Sequence, residues 1–234
     1  MIYWRQAREF VNLHVVFYGR ECYHSKVIMA IDTIFSLAVL VMSVVVHEVS
    51  HGYAALALGD QTARFAGRLT LNPLRHLDPV GSILVPLFTS LSGFTFGWAR
   101  PVPYNPYNLR NKRWGEAMVA GAGPLSNIAV ALVFGLLLRA GTSLDLSLPA
   151  GFSKIAALIV LINLMLAIFN LMPIPPLDGS KILFSILPYH LTAPFRGWLE
   201  RYGLILVIVF IFFLWELVSP FVGFLFRLFT GGSF

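Results

Sequence analysis

The chain has 234 residues, 57% of them hydrophobic and only 12% charged, with a mean hydropathy of +0.76. Soluble domains carry about a quarter charged residues, so this composition excludes an ordinary soluble enzyme and specifies an integral membrane protein. The net charge of +6 does not imply a nucleic-acid partner, because the basic residues cluster between apolar runs, as lipid headgroups and membrane orientation require.

The first 28 residues carry Arg5, Glu9, Arg20, Glu21 and Lys26, which interrupt every apolar stretch well short of a span. The segment reads as an interfacial amphipathic piece, or as an upstream extension of a chain that starts at Met29. The expected division is residues 1–28 as a separate N-terminal segment and 29–234 as a single transmembrane domain. The lone Cys22 excludes an internal disulfide. Five hydrophobic runs follow, at about 32–58, 80–97, 115–139, 154–171 and 202–228, with a shorter apolar piece at about 178–188. The expected fold is an all-α polytopic membrane protein of about five to six transmembrane helices. The distribution of Lys and Arg between the two sides is too even to set its orientation.

The first run contains His47-Glu48-Val49-Ser50-His51. On a helix, positions i and i+4 stack on one face, so His47 and His51 can aim two imidazole nitrogens at one point. Two imidazoles begin a zinc site, which in catalytic form takes three protein ligands and keeps one position open. Glu48 sits one residue round, where it can reach a water instead of the metal, as a metalloprotease general base does. Ionisable groups inside an apolar span are costly and point to function. Ser43, His47, Ser50 and His51 make one polar stripe on an apolar cylinder.

Between the first two runs, residues 62–73 alternate apolar and polar side chains and read as a short strand-like, membrane-associated segment. Residues 74–81, including His76, form a turn-rich connector, and Pro101, Pro103 and Pro106 exclude a regular helix from the connector before the third run. Irregular backbone at membrane depth needs protein or a water-filled cavity beside it, so both connectors should lie against the polar site. In the third run, Gly121-Ala122-Gly123-Pro124-Leu125-Ser126-Asn127 reads as a tight helix contact. Glu216 in the last run reads either as a carboxylate orienting a ligand histidine or as a neutral acid in a helix contact.

A third ligand is sought where the chain breaks a helix near the membrane. Asn170-Leu171-Met172-Pro173-Ile174-Pro175-Pro176-Leu177-Asp178-Gly179 directly follows the fourth run, with three prolines to break it and Gly179 to let the backbone turn. Asp178 alone reads equally as a helix N-cap or as an oxygen ligand. Beside an H-E-x-x-H pattern, the ligand reading is preferred.

His47 to His51 together with Asn170 to Gly179 resembles the site-2 protease family of intramembrane zinc metalloproteases, specifically its compact prokaryotic branch without a PDZ domain. The stretches Gly67–Pro73, His76–Gly81, Phe96–Pro103 and Ala122–Asn127 are similar to that family as well, so that the likeness covers about residues 30–190. It implies that His47, His51 and Asp178 bind one Zn2+, that Glu48 is the catalytic base, and that Asn170 lies near the site, where zinc and the Asn170 amide are the candidate donors to the developing oxyanion. It also implies peptide hydrolysis within or near transmembrane segments of membrane proteins, in a lipid bilayer. The strand-like segment would hold an unwound substrate by added-strand pairing. A metal-binding transporter or channel is the rival reading, since it too places His, Glu and broken helices in a membrane. The lack of a long soluble stretch favours a prokaryotic plasma membrane. Substrate identity, trigger and oligomeric state have no signature in the residues.

Overall fold

A computed structural model describes residues 21–84, 99–146 and 148–232. The chain divides into two compact units, residues 1–38 and 39–234. In the first, the described residues, 21–38, are helical. Residues 1–20 of the expected N-terminal segment lie outside the described residues.

Helix α1 (Glu21–Ala57) carries the H-E-x-x-H sequence within the second unit. It ends in a Schellman arrangement: Asp60 N–H bonds Ala55 O at 2.9 Å and Gly59 N–H bonds Leu56 O at 3.0 Å. The motif needs a left-handed residue, and Gly59 supplies it at φ +105°. A single helical turn, α2 (Thr62–Phe65), a 3-10 turn (Pro73–Arg75) and a π-helical turn (Pro79–Leu84) follow. After a 3-10 turn at Pro106–Asn108 come α3 (Gly115–Ser143), α4 (Ala150–Asn170) and the short α5 (Asp178–Ile186). Helix α6 (Tyr189–Val209) passes through a π-helical turn (Phe210–Leu214) into α7 (Trp215–Thr230).

Among the described residues, four helical stretches are long and apolar enough to cross a membrane: Thr33–Ala57, Gly115–Ser143, Ala150–Asn170 and Thr192–Thr230. The second apolar run is described only as far as Leu84, and its remainder lies outside the described residues. The apolar piece at 178–188 forms the nine-residue α5, which at about 1.5 Å per residue is far too short to cross.

The strand expected near 62–73 is not there. Thr62–Phe65 is a helical turn, Ala66 and Gly67 close it, and residues 68–72 pair with no strand among the described residues. The apolar–polar alternation had a different cause: Ala63 is fully buried while Phe65 is 81% exposed. The carboxylate of Asp60 accepts Thr62 N–H and Oγ–H and thereby starts the turn.

Ala131, Val160, Leu164, Ile168, Val222 and Phe226 make the main apolar core where α3, α4 and α7 meet. Small residues set the spacing there: a Cβ at Gly135 would stand 2.6 Å from Phe229 Cβ, so glycine is what lets α3 and α7 approach.

Candidate metal centre

His47 and His51 lie one turn apart on α1, and both are buried together with Asp178. Each imidazole is oriented by an acceptor on α3. His47 Nδ1–H donates to Asn127 Oδ1 at 2.6 Å, and His51 Nδ1–H donates to Val119 O at 2.7 Å. With the protons placed on Nδ1, the two Nε2 lone pairs face inward. They stand 3.1 Å apart. Asp178 Oδ2 lies 3.1 Å from His47 Nε2 and 3.2 Å from His51 Nε2.

Two imidazole lone pairs and a carboxylate oxygen converging in a buried space repel one another unless a cation sits among them. Ligands about 2.0–2.1 Å from a tetrahedral zinc stand about 3.3 Å apart, close to the three spacings found. The donor set therefore fits zinc. His47, His51 and Asp178 are the one such ligand group of three among the described residues.

Glycines admit the neighbouring elements to this centre. A Cβ at Gly123 would lie 2.5 Å from His51 Cε1 and Nε2 and 2.6 Å from His47 Cε1, so only glycine lets α3 press against both rings. A Cβ at Gly179 would lie 2.1 Å from Leu171 O, so the first turn of α5 docks onto the proline-rich loop only with glycine there. Leu177 occupies the cap position of α5 and Asp178 is its first residue. The N-cap alternative for Asp178 is thus not what the helix uses. Its carboxylate goes to the histidines, and Lys181 Nζ stands 3.8 Å from its other oxygen.

Behind His47 lies a buried amide chain that the sequence reading missed. Asn127 Nδ2 donates to Asn163 Oδ1 at 2.8 Å and to Ser43 O at 3.3 Å. Asn163 Nδ2 donates to Ser43 Oγ at 2.9 Å and to Ile159 O at 2.8 Å. These bonds leave the Asn127 carbonyl oxygen facing His47, so the ring's orientation is set through α3 and α4. The Gly121–Asn127 stretch is a helix contact, as expected, and it also carries the residue that orients a ligand. The signal available in the sequence was Asn127 and Asn163 themselves, two amides inside apolar runs.

The remaining sequence candidates fall as follows. Glu48 is half-buried on α1, and its Oε2 accepts the Val102 N–H at 2.9 Å. Asn170 ends α4 and donates Nδ2 to Leu166 O of its own helix at 2.9 Å. Ser50 likewise bonds its own helix at Val46 O, and so leaves the polar stripe. His76 is fully buried, donates Nε2–H to Thr70 O at 2.8 Å, and is a loop strut. Glu216 lies exposed on α7, while both ligand histidines have their Nδ1 partners on α3.

Beyond the ends of the spans, Asp60 gathers the connectors. Its Oδ1 accepts Thr62 Oγ–H at 2.6 Å and Asn108 Nδ2–H at 2.8 Å, and its Oδ2 accepts Asn105 N–H at 2.7 Å. Burial pushes this carboxyl up, but the bonds from Thr62, Asn108 and Asn105 outweigh it and hold the group below the usual range.

A protein of Bacillus subtilis (strain 168), YwhC, provisionally named a zinc metalloprotease, is 38% identical over 174 residues, spanning 73% of this chain and 76% of its own. This chain belongs to peptidase family M50. The M50 family model itself matches residues 141–214, which include Asp178. Rip2 of Mycolicibacterium smegmatis, with the same provisional naming, is 31% identical over 185 residues, 75% of this chain and 66% of its own. MJ0611 of Methanocaldococcus jannaschii, also so named, is 44% identical over 68 residues, 28% of this chain and 31% of its own. No solved structure matches the chain. Membership in a peptidase family leaves the transport reading without support.

Proposed function

We propose that the protein is an intramembrane zinc metalloendopeptidase that hydrolyses peptide bonds within or near transmembrane segments of membrane-protein substrates. The observation that carries the reading is the convergence of His47 Nε2, His51 Nε2 and Asp178 Oδ2 within 3.2 Å of one another on elements joined to apolar, span-length helices. The relatives' names and the peptidase family support the same chemistry. In this reading residues 29–234 act as one multi-pass domain in a prokaryotic plasma membrane.

His47, His51 and Asp178 would hold the zinc. Zinc held there would supply Lewis acidity, bringing the pKa of water down toward about 7 and polarising the scissile carbonyl. Glu48 takes the proton of the attacking water and returns it to the leaving amine as the C–N bond breaks. Because Oε2 is occupied by the Val102 N–H, the proton travels on Oε1. Asn170 keeps one amide hydrogen after bonding Leu166 O and is the proposed donor to the carbonyl oxygen as it gains charge. Asn127 and Val119 hold the imidazoles so that their lone pairs, and not their protons, face the centre.

The test is Glu48→Gln, with a reporter of one apolar transmembrane segment between two epitope tags, co-reconstituted in liposomes. Turnover should fall by about 10²–10⁴-fold, the contribution of a general base, while bound zinc stays at one per chain. A variant that cleaves at the normal rate removes Glu48 from the mechanism, and a wild type that binds no zinc ends the whole reading.

A further inference from the structure

Arg68 is a buried cation outside the membrane-spanning helices with no part in the metal centre. Its Nη2 donates to Arg100 O at 2.7 Å and to Pro101 O at 3.3 Å. The Pro101 carbonyl shares its peptide group with the Val102 N–H, which donates to Glu48 Oε2. Three successive residues of the connector are therefore held from two directions, their carbonyls by Arg68 and their amide by Glu48. Arg100 N–H also bonds His76 O at 2.8 Å, so the loop carrying Arg68 grips that residue a second time, at the peptide before it.

The fit around this junction is close. A Cβ at Gly52 would stand 2.5 Å from Leu69 Cδ2 and 2.8 Å from Val102 Cγ1, so both segments press on α1 one turn beyond Glu48. Burying a guanidinium is costly, and here burial and the neighbouring Arg100 cation work against its charge while the Glu48 carboxylate favours it. Its Nε has no partner among the described residues. A loop tie needing only strength would not place a costly cation with a donor to spare in the field of a carboxylate. The arrangement makes sense where the position of that carboxylate matters.

We propose that Arg68 is a positioning residue for the Glu48 base: by locking the carbonyls of Arg100 and Pro101 it fixes the Val102 N–H that orients the Glu48 carboxylate. This rests on the reading of Glu48 as the base. Loss of the lock frees the connector and lets the carboxylate turn away from the water it must deprotonate. The zinc ligands stay where they are, because their orienting partners lie on α3.

The experiment uses the full chain in liposomes with a tagged transmembrane reporter that the wild type cleaves. Arg68→Gln should lower kcat about ten- to a hundredfold, the penalty of a misplaced catalytic group, with KM and zinc content unchanged. Hydrogen exchange across residues 99–104 should accelerate in the same variant. Arg68→Lys should fall between, because a flexible ammonium does not hold a fixed pair of N–H donors on both carbonyls as the rigid guanidinium Nη2 does. In a Glu48→Asp background the shortened carboxylate no longer reaches Val102, and adding Arg68→Gln should change the residual rate by less than about twofold. Wild-type kcat in Arg68→Gln, unaltered exchange at 99–104, or an equal loss in the Glu48→Asp background would each overturn the inference. So would a loss of zinc that accounts for the loss of rate. If Arg68→Gln does not fold, kcat and exchange in Arg68→Lys decide the matter, and wild-type values for both overturn it. Full activity in Glu48→Gln would sink the base reading itself; an inactive Glu48→Gln beside a fully active Arg68→Gln would sink only this inference.

Discussion

The metal centre and the connector cluster around Asp60, Arg68 and Val102 are both polar and buried, yet they are held by different kinds of bond. At the centre, the ligands themselves and most of what holds them are side chains meeting side chains: two imidazoles, a carboxylate and a chain of amides through Asn127, Asn163 and Ser43. In the connector, side chains mostly meet backbone: Arg68 takes the carbonyls of Arg100 and Pro101, Glu48 takes the amide of Val102, and Asp60 takes the amides of Thr62 and Asn105. Metal binding needs specific donor atoms, and only certain residues carry them. Holding a loop needs only an N–H or a C=O, which nearly every residue offers. The first region therefore constrains identity, and the second constrains shape.

The sharpest way to break this distinction is at Gly123, where shape and identity coincide. Gly123→Ala puts a methyl within 2.6 Å of both ligand rings, and neither ring can withdraw without losing its acceptor on α3. Zinc affinity should fall more than a hundredfold, beyond the 10–100-fold typical of a lost orienting partner. The helix itself is not penalised, since alanine favours it over glycine by about 1 kcal/mol. Metal analysis alongside thermal unfolding in detergent checks it. A variant with normal zinc content would mean that α3 does not pack on the rings as described.

Asn127→Leu comes next. It keeps the branched shape and the number of heavy atoms but takes the acceptor from His47 Nδ1–H and leaves Asn163 Oδ1 without its donor. Zinc affinity should drop about 10–100-fold. The absorption spectrum of the cobalt-substituted protein should shift, because one imidazole is then free to turn. Chelator competition measures the affinity; an unchanged constant would show that the amide chain serves packing alone.

This contrast also explains what could be read from the residues. His47, Glu48, His51 and Asp178 were legible because each is an ionisable side chain that an apolar span or its edge would not carry without a use. Asn127 and Asn163 were visible as residues but not as partners, because nothing in their spacing says which helix faces which. The role of Val102 was invisible, for its contribution is an N–H that any residue but proline has. The strand expected near 62–73 failed for a related reason. Alternation does not fix the backbone: Asp60 accepts the Thr62 N–H and starts a helical turn on which Ala63 is buried while Phe65, of the same alternating apolar set, is exposed. The four span-length helices were legible from hydropathy alone.

The smallest effect is expected at Asp60, and it tests whether the connector is held by charge or merely by shape. Asp60→Asn keeps the size but turns one acceptor into a donor facing Asn105 N–H, Thr62 or Asn108. A lost charge-assisted bond of this kind costs about 1.5–3 kcal/mol at neutral pH. The folded pKa of Asp60 lies below its ordinary 3.8, so the stabilisation its charge provides is complete above that value and is lost as pH falls through the folded one. Wild type and Asp60→Asn should therefore differ most in Tm at neutral pH and converge below about pH 4, with zinc content at neutral pH the same in both. A Tm difference that does not change with pH would mean that Asp60 holds the connector by geometry, and that the two regions differ less than their bonding suggests.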